Sequence, residues 1–356
     1  MKIVVNARFL TQKITGVQRF AIELSRELVK IYGDKIKFVA PGNIVQKEIA
    51  EEFHVEIVGR KSGYYWEQIE LPLYLKKKGS PVLLNFCSVA PLFYKNNIVA
   101  VHDITWVRFP NTYSRQFRFV YDIIIPQLCK VARRILTVSK FSLKEISQKY
   151  NVPEEKFTIV YNAVDEKFHP VVDHSLSKED YFISVSSIKE NKNFQTVLSS
   201  FEKLQSIVKG VKLYIVGDLV DKNFKTIDLK RYKNNSNILF LGRVSDEELI
   251  KYYSNAKAFI FPSLYEGFGI PVLEAQACGC PVISSNTSSL PEVLEDSALF
   301  CDPMDFCSFA DNMHKIMTDS NLCDDLKKKG FRNVNRFSWE ASAKTIAKDI
   351  DSLMNK

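Results

Sequence analysis

Short apolar runs alternate with amphipathic helical segments along nearly the whole chain, and the alternation stops once and then restarts. The first series runs KIVVNA, VQRFAIELSRELVKIY, KIKFVA, VLLNF, NIVAVHD, YSRQFRFVYDIIIPQLCKVARR and ILTVS, then FSLKEISQKYNV and FTIVYNAV. Strands separated by helices of this length pair in parallel, because a helical crossover returns the chain to the same edge of the sheet. A polar stretch with Pro170, DEKFHPVVDHSLSKED, then breaks the pattern and reads as a linker. The second series follows with YFISVSS, NFQTVLSSFEKLQSIV, KLYIVG, NILFLG, SDEELIKYYSNA, AFIFPS and PVISS, and closes on the amphipathic helix FSWEASAKTIAKDIDSLM. The expected fold class is therefore α/β with two Rossmann-like domains, residues 1–172 and 173–337. A cleft between two such domains is the default ligand site.

A chain of 356 residues exceeds what one core usually supports, which agrees with two domains. Its charge is uneven: residues 1–170 hold 26 Lys and Arg against 16 Asp and Glu, and the rest hold 23 against 25. A basic first domain can face nucleic acid, anionic lipid or a phosphorylated substrate, or can be a lysine-rich surface. No nucleic-acid motif accompanies it, so a nucleic-acid partner is not expected. The opening MKIVVNARFL has no charged region followed by an apolar one, and no apolar run is long enough to span a bilayer, so a cytoplasmic location is expected. The odd set of seven cysteines lacks a paired CxxC framework and reads as reduced thiols.

The chemistry concentrates in LYEGFGIPVLEAQACGCPVIS, residues 264–284. AFIFPS ends a strand, LYEGFG is a loop, and Pro271 suits a first helical turn. Gly279 then reads as a left-handed cap and Pro281 prevents continuation. Gly267 and Gly269 therefore lie at a helix N-terminus beyond a parallel strand, where backbone N–H groups and the helix dipole favour an anion. Glu266 in the loop and Glu274 in the helix can accept hydrogen bonds from diols on either side of a bound diphosphate.

This segment resembles the E-x7-E motif of the retaining GT-B glycosyltransferases, in particular the family 4 enzymes of bacterial polysaccharide synthesis. GVQRFAIEL, YYWEQIELPLYLKK, AVHDITWVRFPNTYSRQFR, ILTVSKFSLKEI and IVYNAVDEKFHP resemble that family's amino-domain segments in order, and LFLGRVSDEELIKYYSNAKAFIFPSLYEGFGIPVLEAQACGCPVISS resembles its donor domain. The resemblance implies a GT-B fold whose terminal segment 338–356 crosses back to the first domain. It also implies transfer of a hexose-type sugar from a nucleotide diphosphate sugar to an acceptor hydroxyl in surface polysaccharide assembly.

Residue by residue, the resemblance implies that Glu266 contacts the transferred sugar and Glu274 the ribose, with Phe268 and Gly269 offering backbone amides. SSIKENKN places Lys192 where the family has its phosphate-binding basic residue. A second basic residue usually precedes it, but Ser186 and Ser187 stand here and Lys189 is the available substitute. Arg243 and Val244 match the base-packing position. His102 matches the family's cleft histidine beside the donor sugar, with Asp103 orienting it or meeting the acceptor. Gly16 and Val17 match the loop that approaches the diphosphate from the other side.

No DxD pair stands in a suitable place, so no metal and no cofactor beyond the sugar nucleotide is expected, and the departing diphosphate falls to Lys192, Lys189 and the amides at 267–269. Front-side substitution is the implied course, with His102 an orienting group rather than a general base. The basic first domain, with Arg115, Arg118, Arg133, Arg134 and Lys76–Lys78, suits a lipid-diphosphate-linked or oligosaccharide acceptor and a peripheral contact with an anionic membrane. The alternatives are a nucleotide-sugar epimerase of the same architecture and a non-catalytic sugar-nucleotide binding protein. A dehydrogenase is disfavoured because NARFLTQKITGVQRF lacks G-x-G-x-x-G.

Overall fold

The computed structural model describes residues 2–187, 189–217 and 232–354. The chain divides into two compact units, the first formed by 1–104, 114–162 and 338–356 and the second by 105–113 and 163–337. The first unit thus ends at Asn162, ten residues before the boundary expected at 172, and the short segment 105–113 belongs to the second. The reason lies in the polar stretch around Pro170. Lys167 Nζ pairs with Asp246 at 2.7 Å, the Val171 N–H donates to Ser254 Oγ at 3.0 Å, and Asn255 Nδ2 donates to the Val171 carbonyl at 3.1 Å. These contacts bind the stretch to the helix Asp246–Asn255 of the second unit.

The first unit is built on seven strands: β1 (Ile3–Asn6), β2 (Ile36–Ala40), β3 (Glu56–Ile57), β4 (Val82–Asn85), β5 (Asn97–Ala100), β6 (Arg134–Thr137) and β7 (Phe157–Ile159). They pair in the order β3-β2-β1-β4-β5-β6-β7, all parallel. β1, β4 and β5 are buried at every position, because helices cover both faces of a parallel sheet. The direction of strand succession reverses between β1 and β4, and such a switch point opens a crevice at the strands' carboxyl ends. The final helix Trp339–Met354 packs in this unit against the helix Gly16–Tyr32, with Trp339 at 6.0 Å from Phe20, the Tyr32 hydroxyl donating to Asp351, and Ile346 and Ile350 fully buried.

The second unit repeats the plan with β8 (Tyr181–Val185), β9 (Lys212–Val216), β10 (Ile238–Gly242), β11 (Phe259–Phe261), β12 (Val282–Ser285) and β13 (Leu299–Cys301), in the order β10-β9-β8-β11-β12-β13. These pairs are parallel as well. Its core joins Phe182, Leu213, Ile215, Ile260 and Ile283 on the sheet to Phe194, Phe201, Phe309 and Met313 on the covering helices. The switch point falls between β8 and β11. The loops that follow those two strands hold Lys192 and Glu266.

Candidate active site

Lys192 ends a one-turn 3-10 helix, Glu190–Lys192, between β8 and the helix Phe194–Ile207. Two asparagines fasten this turn to the loop after β11. Buried Asn191 accepts the Leu264 N–H at 2.8 Å and donates to the Tyr265 carbonyl at 3.2 Å. Asn193, in the left-handed region with φ of 50°, donates to the carbonyls of Pro262 at 3.2 Å and Pro303 at 2.6 Å. The two loops are therefore one rigid piece, and Lys192 Nζ reaches Glu266 Oε1 at 2.5 Å while lying 5.5 Å from the Phe261 ring centre. The side chains of Lys192 and Glu266 are 19% and 11% exposed, enough for a ligand to meet both.

The glycine loop is held from below by a serine pair. The Glu266 N–H donates to Ser288 Oγ at 3.0 Å, and Ser289 Oγ donates to the carbonyls of Glu266 and Phe268 at 3.0 and 3.1 Å. Gly269 is the N-cap of the helix Ile270–Ala277, with φ of 98°. That backbone favours glycine, and a β-carbon there would lie 2.9 Å from the terminal methyl Leu290 Cδ2, which would have to shift. Pro271 occupies the first turn and Gly279, with φ of 74°, follows the last, as expected from the sequence. Phe268 is buried edge-on against Phe337 at 5.4 Å, which leaves its backbone, rather than its ring, to face a ligand.

Glu274 is half-buried in the same helix. It lies close enough to the buried Tyr253 phenol to help burial push that group's pKa up. Lys189 Nζ stands 5.4 Å from the Tyr113 ring centre, within the second unit. Arg243 and Val244 follow β10, one strand beyond β9, with Arg243 exposed. The structure brings Lys192, Glu266 and the loop 267–269 together at the switch point and sets Arg243 and Val244 at the outer strand of the same sheet.

In the first unit, Gly16 and Val17 open the helix Gly16–Tyr32 through a capping box in which Thr15 and Gln18 exchange hydrogen bonds. Phe20, one turn on, packs edge-to-face on His102 at 4.7 Å. His102 follows β5 and its Nε2–H donates to the Phe86 carbonyl at 2.8 Å, which fixes the tautomer with Nδ1 unprotonated in the neutral ring. Burial holds the imidazole pKa below 6.5, while the Phe86 carbonyl and Asp103 push the other way. His102 is thus a neutral, oriented group. Asp103 adjoins it, half-buried.

Sequence reasoning missed Asn191, Asn193, Ser288, Ser289 and Phe20. The asparagines lie inside SSIKENKN, where a left-handed Asn before a helix is a legible cue. The serines and Phe20 act through contacts that no spacing displays. Among the described residues no three His, Cys, Asp or Glu side chains gather as a metal site would need, and no helix is long and apolar enough to cross a membrane.

Two parallel doubly wound sheets, with the glycine loop and the acid–lysine pair on the second, place the fold in the GT-B class of glycosyltransferases. Anabaena Alr3699/HepE, solved in complex with UDP, superposes with a TM-score of 0.76 at 16% identity over 99% of this chain and 100% of its own. The family description Glyco_transf_4, Glycosyltransferase Family 4, matches residues 14–168, and Glycosyl transferases group 1 matches 165–333. The chain belongs to the family 4, group 1 glycosyltransferases. It is 25% identical to the O-antigen chain mannosyltransferase B of Escherichia coli, across 96% of this chain and 97% of that one. It is 31% identical to the O-antigen chain mannosyltransferase RfbU of Salmonella typhimurium, across 68% of this chain and 65% of that one.

Proposed function

We propose that this glycosyltransferase moves a hexose from a nucleotide diphosphate sugar to a hydroxyl of a growing surface polysaccharide, with retention at the anomeric carbon and without a metal. The observation behind this reading is the Lys192–Glu266 pair, 2.5 Å apart beside the helix that Gly269 caps. A basic group for the diphosphate, an acid for the sugar and an anion-favouring helix start occur within one rigid pair of loops. The polysaccharide context follows from the names of the Escherichia coli and Salmonella relatives, and these make mannose the first donor sugar to test.

In the proposed step the bond between the anomeric carbon and the leaving phosphate oxygen breaks while the acceptor oxygen bonds to the same face. The acceptor's proton passes to the departing phosphate. Lys192 has protons beyond the one it gives Glu266 and neutralises the diphosphate, aided by Lys189 and the amides of Gly267, Phe268 and Gly269. Glu266 holds the sugar hydroxyls, Glu274 the ribose diol, and Arg243 and Val244 the base. In the first unit Gly16 and Val17 meet the diphosphate, and His102 and Asp103 the sugar or acceptor.

Thermal unfolding with UDP, GDP, dTDP and ADP in EDTA tests the donor site, since a ligand that binds only the folded state raises its stability. Stabilisation by one of them, weakened in Glu274→Ala, is expected. No stabilisation by any, with the protein folded, would overturn the reading. Product analysis with that nucleotide's sugars then separates transfer from epimerisation, which would return interconverted sugar nucleotides and no glycoside.

A further inference from the structure

A second polar cluster sits at the switch point of the first sheet. Asn6 and Asn85 are the last residues of the paired strands β1 and β4, and Asn6 Nδ2 donates to Asn85 Oδ1 at 3.1 Å and to Glu67 Oε1 at 2.8 Å. Glu67 Oε1 also accepts Arg8 Nε at 3.1 Å. The Arg8 guanidinium also lies against the Tyr64 ring, whose centre is 5.4 Å from its carbon, while the Arg8 backbone N–H donates to Asn6 Oδ1 at 3.2 Å. The two terminal nitrogens of Arg8 make no hydrogen bond among the described residues, and its side chain is 15% exposed.

Glu67 is costly to place here, being 1% exposed with Oε2 buried and unpartnered. It stands on a π-turn, Trp66–Glu70, that interrupts the helical run from Gly63 to Lys77. Buried Trp66 pins that turn by donating from Nε1 to the Val58 carbonyl at 2.6 Å. Single π-turns inside helices are rare and are frequent at functional sites, because they re-aim one side chain. Here the re-aimed group is the carboxylate that orients Arg8. Tyr121 on the neighbouring helix Arg115–Val131 is close enough to Tyr64, Cys87, Arg8 and Glu67 for all four to act on its phenol.

The charge balance of the cluster selects its ligand. As an ionised pair with Glu67, Arg8 has little net charge to offer a phosphate, although burial pushes the Glu67 carboxyl pKa up against the pull of Arg8 and Asn6. The Lys192–Glu266 pair differs in having Lys189 and the capped helix Ile270–Ala277 in the same unit. Vicinal hydroxyls need no net charge, and the guanidinium fork matches two adjacent oxygens. The partly exposed rings of Tyr64 and Tyr65 offer faces on which the C–H side of a pyranose can lie. We propose that Arg8, held by Glu67, donates from its two terminal nitrogens to adjacent hydroxyls of the acceptor saccharide, so that the first unit recognises a neutral sugar rather than a phosphate. Glu67 is the positioning residue. The proposal rests on the transferase reading, since it names what the acceptor presents.

Saturation-transfer NMR with methyl glycosides of mannose, glucose, galactose and rhamnose, in the presence of the stabilising nucleoside diphosphate, tests it on the full chain. At least one glycoside is expected to bind the wild type, to weaken about tenfold or more in Arg8→Gln and in Glu67→Gln as charge-assisted bonds are lost, and to resist displacement by inorganic phosphate. Arg8→Lys keeps the charge and the stem and loses only the fork, so it guards against misfolding and is expected to weaken the glycoside as well. Unchanged glycoside binding in the Arg8 variants, displacement by phosphate, or no glycoside bound by the folded wild type would each overturn the proposal. Nucleotide stabilisation in the same variants reports separately on the donor site, so failure of that reading would be seen without glycosides.

Discussion

Replacing either member of the Lys192–Glu266 pair gives opposite results for a bare nucleotide if the pair is a donor-site device. At 2.5 Å the gross attraction is about 7 kcal/mol for an effective dielectric constant near 20. Desolvation of both groups offsets most of it, leaving a net coupling of about 1–3 kcal/mol. Lys192→Ala removes a charge-assisted bond to the diphosphate and should weaken nucleoside diphosphate binding by about 10- to 150-fold. Glu266→Gln frees the lysine from its present partner, so the same nucleotide should bind equally well or up to about tenfold tighter, a fraction of that coupling. The nucleotide sugar should bind Glu266→Gln more weakly, because the sugar loses its acceptor. Isothermal titration of the wild type, both variants and the double variant measures all four, and the double variant should match Lys192→Ala. If Glu266→Gln weakened the bare nucleotide as much as Lys192→Ala does, the pair would be a brace for the two loops and the donor assignment would fail.

Gly269→Ala should cost about 1–3 kcal/mol of stability through its left-handed backbone and the clash with Leu290, and should weaken nucleotide binding too, as read by thermal unfolding with and without ligand. His102 has a folded pKa below its unfolded value of 6.5, so the unfolded chain binds the extra proton first. Its contribution to stability is full above that value and is lost as pH falls below it, and His102→Gln should flatten this part of the pH-stability curve. Ile346→Ala in the last helix should cost about 2–5 kcal/mol and act on the first unit, visible as faster hydrogen exchange in the helix Gly16–Tyr32 with nucleotide affinity retained.

The two sheets were legible because each strand and helix announces itself locally. KIVVNA, NIVAVHD and YFISVSS are continuous apolar runs that only strands covered on both faces require, and SDEELIKYYSNA displays its own N-cap and capping box at Ser245 and Glu248. The glycine loop was legible for a similar reason. Gly269, Pro271 and Gly279 each state a backbone demand that other residues meet poorly. The domain boundary was less so, since the polar stretch around Pro170 placed it at 172 while bonds to Ser254 and Asn255 draw that stretch into the second unit.

Sequence alone therefore determined the alternating parallel architecture, the doubling of it and the capped helix with Glu266 in the loop before it, which depend on near neighbours along the chain, while Lys192 was marked by the family resemblance of SSIKENKN. Only the tertiary structure decided what those groups touch. Lys192 meets Glu266 across 74 residues, His102 meets Phe86 and Phe20, and Arg8 meets Glu67 across 59 residues on a π-turn that no periodicity reveals. Such pairings are set by which strand lies beside which in the sheet, and the energy that fixes that order is spread over the whole buried core rather than written in any one segment.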